Sequence, residues 1–355
     1  MSIPQRPSDF HPAFWSLALV ATILFSCTAY AEGPEAPQPD IYRVDDDFAL
    51  QGEFVGSIVT NPARPRPLAL QIRAVGGGNY EAAQYPGGLP TVRNPKASVR
   101  MIGKRYEDFL VLSGGPMAVL VHPDHCLLVD RKGERVGRLD RVERESPTLG
   151  AQPPKHAIVL FDGTGTDQFV NGRLTEGGLL MEGADFKPMF QDFNLHLEFM
   201  LPYMPEGRDQ GRANSGVYLQ SSYEVQVLDS FALEPVNNGS GGLYRFRPPD
   251  VNMCFPPLVW QTYDIMFTAP RWASDGTKVK NARITVWHNG VKIHDNVELP
   301  NKTGVGQPEA PTLLPTRLQN HGNPVRFRNI WLIDRGDAPP TRFPVIRPPA
   351  EDEKK

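Results

Sequence analysis

Apolar positions along this chain recur in short runs of strand length, separated by Gly, Pro, Asn and Asp. In NLHLEFM, Leu195, Leu197 and Phe199 fall on one face of an extended chain and His196 and Glu198 on the other, because successive strand side chains point to opposite faces. LALQIRAV and NYEAAQY flank Gly76-Gly77-Gly78, which predicts a hairpin. Lys132-Gly133 predicts a turn inside CLLVDRKGERVGRL, and Asn289-Gly290 between VWH and VKI is the strongest short-range hairpin signal. AIVLF, GLLME, SGVYLQ, YEVQVL, YDIMFTA and VRFRNIWLI extend the series, and no long run keeps a helical period. The expectation is an all-β chain built around an antiparallel sandwich.

Composition divides this picture into parts. At 355 residues the prior is two domains. The 32 Gly and 36 Pro are spread between apolar runs, which indicates turns, and 40% hydrophobic residues suffice for a core. ESPTLGAQPPKH, residues 145–156, is the expected linker between a small β-rich domain at 41–144 and a larger sandwich at 157–334. Residues 335–355 read as a loose tail. A net charge of −3 points to neither nucleic acid nor an anionic membrane as partner.

The N-terminus changes the expected location. Arg6 precedes an apolar run from Phe14 to Phe25, and Ala29-Tyr30-Ala31 follows. This predicts a signal peptide at 1–31, cleavage after Ala31, a Pro-rich linker at 32–40, and a periplasmic or secreted protein. Cys27 loosely fits a lipoprotein box, but Phe25 is unusual in one and a lipid anchor is not favoured. No other segment approaches ~18 apolar residues, so the mature chain has no expected membrane span. Cys126 and Cys254 are expected as buried free thiols. Neither has Cys-x-x-Cys or Cys/His spacing, which argues against zinc. The oligomeric state is not encoded in these patterns.

Candidate chemistry concentrates in two stretches. There is no Gly-x-Ser-x-Gly elbow, P-loop or HExxH, and Gly239-Ser240-Gly241-Gly242 reads as a turn. NSGVYLQSSYEVQVLD predicts a hairpin around Ser221-Ser222. Val225 and Val227 then face the core, and Glu224 and Gln226 face either solvent or a groove. Ordinary glycosidases use two carboxyl groups about 5 to 9.5 Å apart. Asp229 lies at an odd offset from Glu224, on the opposite strand face, which disfavours a two-carboxylate mechanism unless another strand supplies the second carboxyl, Glu198 for example. In RLQNHGNPVRFRNIWL, Gln319 and His321 share a parity, as do Arg326 and Arg328. His321 suits a general acid or base, or simply holds its loop. Asn214 and Tyr218 can join the Glu224 face, and Tyr244 and Trp260 offer rings for sugar stacking or for packing.

LFDGTG, NSGVYLQSSYEVQVLDS, WQTYDIMFTAPR, VWHNGVKIHDNVEL and LQNHGNPVRFRNIWL occur in this order. Together they resemble the 3-keto-disaccharide hydrolase family, also described as 3-keto-glycoside lyase/hydratase, over residues 157–334. The resemblance implies a concanavalin-A-like jelly-roll β-sandwich and an oxidised, 3-keto glycoside as substrate. A C3 ketone acidifies the C2 proton, so one base suffices to start elimination of the aglycone, and water then adds back. On this basis Glu224 and His321 are the acid/base candidates, in either order. Gln226 and Gln319 orient sugar hydroxyls, and Arg326 or Arg328 steadies an oxyanion. A divalent cation, with Glu224 as ligand, is the alternative stabiliser. This chain has Asn320 where the family commonly has Asp. The first region resembles a segment that often precedes this domain in exported bacterial proteins. A non-catalytic carbohydrate-binding module, or an envelope interaction protein acting through 41–144, are the competing expectations.

Overall fold

A computed structural model describes residues 42–59 and 63–336. The signal peptide, the linker at 32–40, Cys27 and most of the predicted tail lie outside the described residues.

The first strands close on themselves. β1 (Gly52–Ile58), β2 (Arg66–Ala74), β3 (Asn79–Pro86), β4 (Val99–Tyr106), β5 (Phe109–Ser113), β6 (Ala118–Val121), β7 (His125–Val129) and β8 (Arg135–Val142) each pair with their sequence neighbours. β8 returns to β1, giving a closed eight-stranded barrel. Eight strands leave an interior that side chains can fill. Phe54, Leu70, Ile72, Leu110, Leu112, Val121 and Leu139 fill it here. The Gly76–Gly78 and Gly133 turns form where the sequence places them. LALQIRAV is buried on both faces, because Ala69, with Ala83 and Tyr85, packs against the core of the second sheet system.

That system has two sheets, and its strands follow in chain order. β9 (Ile158–Phe161), β10 (Phe169–Val170), β11 (Leu180–Met181), β12 (Asp185–Phe186) and β13 (Phe193–Met200) come first. β14 (Ser215–Leu219), β15 (Tyr223–Val227), β16 (Trp260–Thr268), β17 (Arg271–Trp272) and β18 (Lys278–Lys280) follow. β19 (Ala282–His288), β20 (Val291–Leu299), β21 (Arg317–Leu318) and β22 (Arg326–Asp334) complete the set. The smaller sheet has the order β10-β12-β21-β14-β15. The larger has β11-β22-β13-β16-β19-β20, with β9 also on β22. The chain is all-β, and this part is a jelly-roll sandwich.

Strand alternation builds the core between the sheets. Leu195, Leu197, Phe199, Tyr263, Ile265, Phe267 and Phe327 from the larger sheet meet Val217, Leu219, Val225, Val227 and Leu318 from the smaller. Asn289 and Gly290 both take positive φ, 50° and 74°, and close the β19–β20 hairpin. Cys126 and Cys254 are free and buried.

The stretch expected to be a linker is packed down. Ser146 Oγ lies 2.6 Å from Thr262 Oγ1, and Thr148 Oγ1 donates to Asp264 Oδ2 at 2.8 Å. Gly150 N–H donates to Glu198 Oε1 at 2.6 Å. Arg335, assigned to the tail by sequence, is also buried, and its backbone N–H bonds Asp192 at 2.9 Å.

Candidate functional site

The β14–β15 hairpin is the frame of the candidate site. Its turn is closed by Ser222 N–H on the Leu219 carbonyl, 3.1 Å, with Gln220 and Ser221 left-handed at φ 47° and 55°. Two positive φ values give the twist a hairpin needs, but neither residue is the Gly that usually supplies them. Side-chain bonds offset the strain. Gln220 Nε2 donates to the Phe190 carbonyl and Ser221 Oγ to that of Pro315, both at 2.8 Å.

This turn sets the register, with Tyr218 opposite Glu224 and Gly216 opposite Gln226. Glu224 N–H donates to Thr303 Oγ1 at 2.7 Å, and its carbonyl accepts from Tyr244 N–H at 3.2 Å. Because those bonds point away from β14, Tyr218 and Glu224 form a non-hydrogen-bonded pair, whose side chains stand closer.

Val225 and Val227 point into the core, and Glu224 and Gln226 point the other way. That second face is not wet. Glu224 is 2% exposed and Gln226 1%. The Gly239–Gly242 stretch, read from sequence as a simple turn, runs on with Leu243 along the edge of β15. Leu243 bridges Val225, and Gly241 N–H bonds the Gln226 carbonyl at 2.9 Å. Burial raises the Glu224 carboxyl to about 7, against the smaller opposing pull of the Tyr218 hydroxyl and the Arg245 charge.

A polar network surrounds this carboxyl. Gln319 bonds Gly216 through its backbone N–H at 2.9 Å, and its Nε2 is 3.4 Å from the Tyr218 hydroxyl. Gln226 Nε2 donates to Gln210 Oε1 at 2.9 Å, and Asn214 Nδ2 to the Gln210 carbonyl at 2.7 Å. Three buried acceptor oxygens in the network have no partner: Glu224 Oε2, Asn214 Oδ1 and Gln319 Oε1. Buried polar atoms are rarely left so unless something else meets them. Across the sheet, Asp185, Arg317, Tyr218 and Glu224 form one row of paired positions, with Arg317 Nε on Asp185 Oδ1 at 3.0 Å. Tyr244 is half-buried, with the Arg245 guanidinium 5.3 Å from its ring. His321 and Asn320 are exposed just beyond Gln319, and Asn320 Oδ1 accepts Gly322 N–H at 2.9 Å.

Trp260, Arg326, Arg328 and Glu198 do not join this face. Their strands, β16, β22 and β13, belong to the larger sheet, and the four side chains lie on its outer surface, across the core. Parity assigns a strand face but not a sheet. Arg326 Nη1 bonds Glu182 Oε2 at 2.7 Å. Arg328 Nε bonds Glu198 Oε2 at 2.7 Å and its guanidinium covers the Trp260 ring at 4.0 Å. Beside them, fully buried His196 has Nδ1 2.6 Å from Asp264 Oδ1 and Nε2 3.7 Å from Glu198 Oε1. Burial would lower His196, but the hydrogen bonds to Asp264 and Glu198 outweigh it and raise it to about 9. A bulge in β22, with Asn329 at φ 44°, brings Asn329 Nδ2 to 2.8 Å from Glu198 Oε1.

Sequence reasoning missed Gln210, Arg245, Thr303 and Arg317. Arg317 alone had a signal, two residues before Gln319 in RLQNHG. For the divalent cation considered at Glu224, the candidate oxygen donors are Glu224 Oε2 and the unpartnered amide oxygens of Asn214 and Gln319. Among the described residues, no group of three or more His, Cys, Asp or Glu can hold a metal ion.

The chain belongs to the 3-keto-alpha-glucoside-1,2-lyase-like domain family, which it matches over residues 156–333. That membership places it among carbohydrate-active enzymes. A candidate glycosyl hydrolase from Parabacteroides distasonis, known from a crystal structure, is 32% identical over 51% of this chain and 84% of its own, with a TM-score of 0.47. A second from the same organism is 16% identical over 54% of this chain and 98% of its own, with a TM-score of 0.37. No curated protein matches the chain.

Proposed function

We propose that this protein cleaves 3-keto-glycosides by elimination and hydration on the Glu224 face of the smaller sheet. The observation that carries this reading is a single buried carboxyl held near 7, with no second carboxyl at glycosidase spacing along its row. Asp185, the other carboxyl in the row, is three strand spacings away, about 14 Å. Double displacement or direct water attack needs a pair within about 9.5 Å.

Elimination needs less. Ionised Glu224, through its unpartnered Oε2, takes the C2 proton that the C3 ketone acidifies. The C2–H electrons form the enolate, which expels the C1 oxygen as the aglycone departs with a proton from an acid. Water adds at C1 of the resulting enone, and C2 recovers a proton, which gives net hydrolysis. A base near 7 is half-ionised at neutral pH and returns its proton readily. His321, exposed beyond Gln319, is the proposed acid. Gln226, Gln319 and Asn214 present amides to sugar hydroxyls, and the Tyr244 ring offers a stacking surface. Arg326 and Arg328 lie across the core, so Arg245, whose charge reaches Glu224, is the proposed stabiliser of the enolate oxygen.

The test is incubation of the purified protein with aryl 3-keto-glucosides and the parent unoxidised glucosides, following aglycone release. Release from the keto compounds alone is expected, and equal release from both overturns the reading. Export through residues 1–31 is part of the same proposal, and a mature N-terminus other than Glu32 contradicts it.

A further inference from the structure

Two guanidinium groups are buried near each other where barrel and sandwich meet. Arg73 on β2 is 5% exposed, and Arg212, ahead of β14, is 1% exposed. Arg212 Nε donates to Asp229 Oδ2 at 2.6 Å, and its Nη1 to the carbonyls of Ala74 and Pro205 at 3.1 Å. Asp229 is thereby occupied, and its Oδ1 accepts Phe231 N–H at 3.2 Å. Arg73 makes one long ion pair, to Glu81 Oε2 at 4.0 Å on a half-exposed side chain, and also feels the Asp229 charge that Arg212 binds. Nε and Nη1 of Arg73 and Nη2 of Arg212 have no hydrogen-bond partner. Burial and the Arg212 charge together lower the Arg73 pKa. Buried like charges with unpaired donors are costly unless an anion meets them.

Both arginines line a cavity of about 260 Å³. Gln210 lines it too, and Gln210 is the residue that holds Asn214 and Gln226 in the candidate site. We propose that this cavity binds a carboxylate of the substrate, so that the preferred glycosides carry an acidic group, on a uronic acid ring or an acidic aglycone. The inference rests on the keto-glycoside reading for the neighbouring face. A planar guanidinium fork matches the two oxygens of a carboxylate. Arg208 and the carboxylates Glu81, Asp209, Asp229 and Glu234 also line the cavity. Glu234 meets Arg100 through Oε1 at 2.5 Å while its Oε2 stays unpartnered, and this carboxylate charge disfavours a doubly charged phosphate.

Calorimetric titration of the full chain with methyl glucuronide and methyl glucoside tests this without turnover. The glucuronide is expected to bind roughly tenfold more tightly. Arg73→Gln is expected to erase that preference while leaving glucoside affinity and the melting temperature in place. No preference in the wild type, or a preference that survives Arg73→Gln, overturns the proposal. Glucose 6-phosphate binding as tightly as the glucuronide overturns the carboxylate assignment. Glu224→Gln keeps the preference, so a failure of the elimination reading leaves this result standing, and the reverse also holds.

Discussion

The Glu224 carboxyl lies over Gly216: a Cβ added there would stand 2.4 Å from Glu224 Oε1 and 3.1 Å from Tyr218 Cε2. Gly216 does not take a positive φ, so its role is space. Gly216→Ala meets the end of a flexible side chain, which can swing aside at small cost in stability. The carboxyl then leaves its position between Tyr218 and the sheet. A drop in kcat/KM of about a hundredfold is expected from such misplacement, with a melting temperature shifted by only a few degrees. Full activity in Gly216→Ala, measured on a 3-keto-glucoside, removes Glu224 from the reaction.

Glu224 also ties activity to pH. Its pKa rises from 4.5 to about 7. Between these values the folded chain keeps a proton that the unfolded chain releases, so folding stability falls as pH rises through the window and levels off above it. The loss is on the order of 3 kcal/mol. The base form grows over the same range, so the rate is expected to rise with an apparent pKa near 7. Glu224→Gln should abolish turnover and remove the fall in stability between about pH 4.5 and 6.5. Urea unfolding at about pH 4.5 and pH 7.5, compared between wild type and variant, checks the sign. Parallel slopes in the two proteins contradict it.

On the far side of the sandwich the arginines hold structure. Arg326 is 1% exposed and pairs with Glu182, which is itself 8% exposed. Arg326→Ala leaves that carboxylate only Arg173, 3.4 Å away. A loss of about 3 kcal/mol is expected, the low end for breaking a buried pair. The kcat/KM of the folded fraction should stay within about twofold of wild type. A stable variant with lost turnover would return Arg326 to the site.

The hairpin NSGVYLQSSYEVQVLD was legible because period-two alternation and a turn are local facts. Parity separated Glu224 and Gln226 from Val225 and Val227 correctly. It could not report that Gly241–Leu243 and Thr303 bond the outer edge of β15, since those contacts come from distant segments. Nor could parity say that β22 belongs to the larger sheet, so Arg326 and Arg328 appeared eligible for a site they do not reach. Barrel closure was equally hidden: the β1–β8 pairing joins the ends of the region, and no turn residue marks it. Gln210 lies outside any strand pattern, and only its bonds to Asn214 and Gln226 reveal it.

His196 carries a second pH window, of the same sign as that of Glu224 but at higher pH. It is raised from 6.5 to about 9 by hydrogen bonds to Asp264 and Glu198 that overcome burial, and its ring stacks on Trp331 at 4.9 Å. A raised histidine contributes its full stability below about 6.5 and loses it as pH climbs through 9. The contribution is on the order of 3 kcal/mol. His196→Gln should therefore be less stable than wild type at neutral pH, converge on it at alkaline pH, and leave the acid-side slope due to Glu224 intact. The segment at 146–151 bonds Thr262, Asp264 and Glu198 over this network, so it should exchange its amide hydrogens faster in the variant. Hydrogen exchange read at Gly150, whose N–H bonds Glu198, is the sharpest measure. Unchanged protection there would mean that the segment is held by its hydroxyl contacts and not by the charge beneath it.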